Sequence, residues 1–123
     1  MTVLHHVQVS CPAGGEPDVR RFYGDLLGLA EVEKPPVLAA RGGAWFRGDG
    51  YELHVGVEEG FTPARKAHPA FLVDDAAGLA ARLSEAGAEV RWDDAFPGYR
   101  RFHTHDLHGN RVEILETEAP GPS

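Results

Sequence analysis

One cysteine and one methionine occur in 123 residues. The lone thiol, Cys11, rules out an intrachain disulfide and a cysteine-rich zinc knuckle, and it fits a reducing compartment in which it is a small buried residue. No apolar run approaches the roughly 20 residues needed to span a bilayer, and the N-terminus lacks a basic stretch followed by a long apolar one. A membrane is therefore not an expected partner, and a cytoplasmic location is expected. Basic residues are scarce as well, 12 Lys and Arg against 19 Asp and Glu for a net charge of −7, with no basic block along the chain. That balance argues against nucleic acid as a partner.

What the chain does have is apolar material for one domain with a core, at 42% hydrophobic residues, and many turn formers, with 15 Gly and 9 Pro. "TVLHHVQVS" reads as a strand. Pro17 then suits the first turn of a helix over about Pro17 to Leu27, with Val19, Phe22, Tyr23, Leu26 and Leu27 as its apolar stripe and Gly28 as its stop. "LAEVEKP" reads as a strand, and "VLAARGGAWFRGDGYELHVGVE" as hairpin-linked strands turning at Gly42-Gly43 and Asp49-Gly50. Residues 58–67 show neither period and read as a linker. "HPAFLVDD" is a predicted strand, "DDAAGLAARLSEAG" a predicted helix with stripe Ala76, Leu79, Ala80 and Leu83, and "AEVRWDD", "YRRFHTHD" and "NRVEILE" three more strands. The tail, residues 117–123, is expected to be disordered.

One β-α-β-β-β unit is thus used twice, over about 3–57 and 68–116, within a single domain. The expected fold class is α+β, two tandem βαβββ modules that pack side by side into a cupped mixed sheet with helices outside. Each module opens on a predicted strand that holds a histidine, His6 or His68. Each closes on a strand launched from a glycine turn, in which Gly50 is followed four residues later by His54 and Gly109 by Glu113. A pseudo-twofold then pairs His6 with His68 and His54 with Glu113. Imidazole and carboxylate groups on rigid strands suit a divalent ion such as Zn, Fe, Mn or Ni.

Alternation places His6 on the cup face with Leu4, Gln8 and Ser10, and His5 on the other face with Val3, Val7 and Val9. Glu52 competes with His54, since it shares a face with it two residues earlier. Taken singly, any of these histidines also reads as a hydrogen-bonded structural group. Asp74 and Asp75 read as a helix start, and Asp93 and Asp94 as a turn.

The stretches "LHHVQVS", "RRFYGDLLGL", "HPAFLVDD" and "DLHGNRVEILE" resemble the vicinal oxygen chelate superfamily, which includes glyoxalase I, fosfomycin-resistance transferases, extradiol dioxygenases and bleomycin-resistance proteins. The resemblance covers residues 3–116. It implies paired βαβββ modules, a divalent metal ion held by residues like His6, His68 and Glu113, a small oxygen-bearing substrate, and a homodimer. Metal-using members activate a substrate through two neighbouring oxygens bound to the ion.

His103 stands where fosfomycin-transferase-like members often carry a pocket tyrosine, which makes it the expected acid/base beside Glu113, with Arg101 a possible anion contact. Tyr99, Arg101, His103 and His105 share one strand face, which also reads as merely solvent-facing. Gln8 and Trp45 are expected substrate contacts, although either Trp45 or its neighbour Phe46 could enter the cup. Glyoxalase I carries a glutamate on the last strand of each module, so His54 in the first makes lactoylglutathione lyase activity doubtful. Extradiol dioxygenases are usually longer, and no phosphonate-binding cluster is evident in the sequence. The rival reading is a metal-free binding protein of the bleomycin-resistance type that sequesters a small molecule.

Overall fold

A computed structural model describes residues 1–118. In chain order its elements are β1 (His6–Cys11), α1 (Glu16–Val19) continued by a π-helical stretch (Arg20–Leu26), β2 (Ala30–Val32), α2 (Pro36–Ala39), β3 (Ala44–Arg47) and β4 (Glu52–Val57), then β5 (Ala70–Leu72), α3 (Ala76–Glu85), β6 (Arg91–Asp93), β7 (Tyr99–His105) and β8 (Arg111–Thr117). The strands form two four-stranded sheets, ordered β1-β4-β3-β2 and β5-β8-β7-β6. In each sheet the first strand runs parallel to the last and the other pairings are antiparallel. This is the tandem βαβββ architecture.

The two halves share a register. The inner hairpins begin at Arg47 opposite Glu52 and at His105 opposite Arg111. Two residues further on, Trp45 faces His54 in one sheet and His103 faces Glu113 in the other. On the other side of those strands, Gln8 lies opposite His54 and Ala70 opposite Glu113.

Two departures come from local chain chemistry. After one α-helical turn the first helix widens, and Leu27 N donates to Phe22 O at 2.9 Å, a five-residue span. The wider winding turns both Phe22 and Tyr23 fully into the core, and Leu26 and Leu27 pack against it. Pro35, the last residue of the predicted strand "LAEVEKP", instead caps α2 and Pro36 begins it, because a proline at the first helical position gives up a donor the helix does not need. Gly43, at φ +84, is required where it stands, since a Cβ there would lie 2.1 Å from Val55 O.

Other strand ends also differ from the sequence reading. β5 is confined to Ala70–Leu72, so His68 precedes it. β1 starts at His6, so alternation does not extend to His5; its Nδ1 lies 2.9 Å from His6 Nδ1, and both rings are exposed. Thr117 ends β8 rather than belonging to a loose tail, and Glu118 N donates to Gly98 O at 3.0 Å. The remainder of the tail, 119–123, lies outside the described residues.

One core joins the halves. Tyr23, Phe22, Phe46 and Phe102 are its largest fully buried side chains, each contributing roughly 1.5–3 kcal/mol by burial. The helical stripe Ala76, Leu79, Ala80 and Leu83 is buried as expected, and Asp75 caps α3 by accepting from Gly78 N. α3 packs on β7, on β8 and on the π-helical stretch, which in turn packs on β2 and β3.

A polar clasp completes the joint. Tyr23 Oη donates to Asp106 Oδ2 at 2.7 Å, and Asn110 Nδ2 donates to both that oxygen and Ser10 O at 2.8 Å. Burial and the neighbouring Asp106 carboxylate push the Tyr23 phenol well above its ordinary range, so the proton stays on tyrosine. No helix among the described residues is long and apolar enough to cross a membrane.

Candidate metal centre

β7 and β8 are antiparallel neighbours, and alternation sets Arg101, His103, Glu113 and Leu115 on one face, opposite the core side chains Phe102, Val112 and Ile114. Glu113 is only 6% exposed, so it needs partners. Its Oε1 lies 2.8 Å from His68 Nε2 and 3.5 Å from His103 Nε2, and its Oε2 accepts from Arg101 Nη1 at 3.2 Å. Arg101 is itself held by Asp93, whose Oδ2 accepts from Nη2 at 2.9 Å.

Burial works against the Glu113 charge, but the hydrogen bonds from His68 and Arg101 outweigh it and hold the carboxyl below the usual carboxylate range. His103 shifts the opposite way for a base. Burial, then the nearby Arg111 guanidinium, lowers its proton affinity against the opposing pull of Glu113, so the ring is neutral at pH 7.

His68, His103 and Glu113 each offer one ligand atom, and these atoms all lie within 4.8 Å of one another. Two imidazoles and a carboxylate suit a first-row divalent ion. Arg101 occupies the outer carboxylate oxygen and leaves the inner one turned toward the two rings, and Lys66 O fixes His68 through Nδ1 at 2.7 Å. The donor set therefore fits a metal ion, and the second bonds that His68 and Glu113 make are of the kind that orients metal ligands.

The first sheet holds a different assembly. His54 is buried between two aromatic neighbours, Trp45 stacked at 3.9 Å between ring centroids and His6 at 4.0 Å. Its Nε2 meets Glu52 Oε1 at 2.9 Å, and Arg47 donates to Glu52 Oε2 at 3.2 Å. These bonds hold the Glu52 carboxyl below its ordinary range. So the structure brings His68 and Glu113 together with His103, while His6 and His54 stack on each other on the other sheet, outside that group.

Trp45 lies on the His54 face and Phe46 is in the core, which resolves the choice that the sequence left open. Gln8 also lies on this face, opposite His54 on β1. Asp93, read above as a turn residue, is the last residue of β6 and the anchor of Arg101. The signal available for it was the strand "EVRWD", in which Asp93 alternates with Arg91.

The glyoxalase-like domain family matches residues 8–115 of the chain. Among solved structures, a glyoxalase family protein from Bacillus anthracis is 42% identical, with 96% of this chain and 97% of that chain covered and a TM-score of 0.90. A glyoxalase/dioxygenase from Nostoc punctiforme is 24% identical over 94% of this chain and 91% of that one, with a TM-score of 0.78. A genomically encoded fosfomycin resistance protein from Listeria monocytogenes shares the fold at 13% identity, with 96% and 95% covered and a TM-score of 0.77. No curated protein matches the chain.

Proposed function

We propose, from the premise that the chain belongs to the glyoxalase-like domain family of the vicinal oxygen chelate superfamily, that it is a divalent-metal-dependent enzyme acting on a small oxygen-bearing molecule. The observation that carries this reading is the convergence of His68, His103 and Glu113 on one point from two paired strands and from two residues before a third. When bound, the ion would act as a Lewis acid toward two neighbouring substrate oxygens.

The chain's own residues supply the rest. Arg101 fixes the Glu113 carboxylate from behind, and Asp93 fixes Arg101. His103, neutral and beside the carboxylate, either ligates the ion or accepts a proton from the bound substrate. The reaction type follows from which of these roles His103 takes.

His6 and His54 enter the proposal through a homodimer, in which a second copy brings its own pair to complete the ligand set. Val3, Leu4 and Leu72 stand exposed beside β1 and on β5, which supports cover by a second copy. The single buried thiol supports a cytoplasmic site.

Calorimetric titration of chelator-treated protein with Zn, Mn and Ni tests the metal reading, with saturable binding in the parent and loss in His68→Ala. A second reading, sequestration of an aromatic or cationic compound without metal, is favoured by the Trp45, His54 and His6 column. It gains if no divalent ion binds while an aromatic cation raises the melting temperature and Trp45→Ala abolishes that rise.

A further inference from the structure

The row of donors on the second sheet has a basic neighbour. Strand register sets Arg91 opposite His103 and Arg111 opposite His105, all on the Glu113 face. With Arg65 from the segment before β5, these side chains line a cavity of about 370 Å³. Three guanidiniums share it with one carboxylate, Asp93, which is engaged by Arg101 and by Ala95 N.

Arg65 and Arg111 have no carboxylate within 4.0 Å among the described residues, and Arg91 has only the exposed Glu89 at 3.7 Å. A chain with a net charge of −7 thus concentrates uncompensated positive charge in one recess beside its candidate metal centre. Such a recess focuses field on an incoming anion, and guanidinium forks match the planar oxygens of carboxylate and phosphate.

We infer that this recess binds a compact oxyanion, so that the substrate is a small acid. This deepens the metal-enzyme reading and rests on it for the word substrate, while anion binding itself does not. Arg111 lies two residues before Glu113 on β8, a displacement of roughly 7 Å along the strand. The acid group therefore sits a few bonds from the oxygens that approach Glu113 and His103. Carboxylate and phosphate or phosphonate share this chemistry.

The test titrates inorganic phosphate, methylphosphonate and malonate separately into metal-free, chelator-treated protein, read by calorimetry and by histidine ring proton shifts. At least one anion is expected to saturate the protein, to weaken with added sodium chloride, and to lose affinity about tenfold or more in Arg91→Gln and Arg111→Gln. Arg111→Lys should recover part of the loss, and Arg20→Gln, which removes a guanidinium paired to Glu31, should match the parent. Malonate alone identifies a carboxylate site, and the phosphorus anions alone a phosphoryl or phosphonyl site.

Absence of saturable binding by all three anions, or equal affinity in the parent and both glutamine variants, overturns the inference. Because Arg91 is exposed, its variant tests the claim without burdening the core. Metal titration of the same samples separates the two readings. Anion binding that persists in His68→Ala, where metal binding is lost, leaves the recess standing whatever the fate of the metal centre.

Discussion

His68 Nε2 and Glu113 Oε1 lie 2.8 Å apart although they are 45 positions apart in the chain. β5 runs parallel to β8 with Ala70 opposite Glu113, and His68 is delivered from two residues before that pair. A contact carried by a sheet register is stiff, and stiffness is what a metal site needs from its scaffold. Arg101 on the outer carboxylate oxygen then fixes which oxygen faces the imidazoles.

Arg101→Gln is expected to preserve the fold and to weaken divalent-metal affinity by about 10- to 100-fold, the usual cost of losing a group that orients a ligand. Calorimetric titration of metal into the variant checks this. Affinity equal to that of the parent would mean that the carboxylate holds its position without the guanidinium.

Tyr23→Phe removes the hydroxyl that donates to Asp106 across the joint between the two halves. Asp106 Oδ2 keeps the Asn110 amide, so the expected loss is about 1–2 kcal/mol in urea unfolding at pH 7. Asn110→Ala strips that bond and the one to Ser10 O as well, and should cost more than Tyr23→Phe.

Glu16 accepts a hydrogen bond from Gly43 N at 3.1 Å, which holds its carboxyl below the ordinary range. A carboxylate with a lowered folded-state pKa adds stability that is fully present above its unfolded value of about 4.3 and is lost as pH falls through the folded value. The stability gap between the parent and Glu16→Gln should therefore be larger at about pH 7 than at about pH 3. Urea unfolding at both values checks it, and a gap independent of pH would contradict the assignment.

The proposed homodimer, in which two copies share ligands, makes a prediction about mixtures. His6→Ala and His68→Ala should each bind metal poorly, and co-refolding the two should restore a minority of intact sites. Analytical ultracentrifugation should give twice the 13.3 kDa chain mass. A monomer, or a mixture no better than its parts, would remove the second copy from the site.

Periodicity and capping made α3 legible, because its apolar stripe and Asp75 cap act within a few residues. Alternation, which is local, placed Arg101 and His103 on one strand face, and the offset from Gly109 singled out Glu113, which the β7-β8 register sets opposite His103. It could not reveal the π-helical widening at Phe22 and Tyr23, where burying two adjacent aromatics overrides helical preference. Nor could it show that His6 would stack on His54 while His68 met Glu113, because that depends on where each strand begins. Arg65, Arg91 and Arg111 are dispersed in sequence and converge only through the β6-β7-β8 register and the preceding segment.

Elemental analysis of protein purified without chelators tests the central claim most directly. The account predicts near one equivalent of a divalent transition metal per chain, lost in both His68→Ala and Glu113→Gln. Occupancy unchanged in those two variants, or a parent protein that takes up none of Zn, Fe, Mn and Ni when supplied with them, would contradict it.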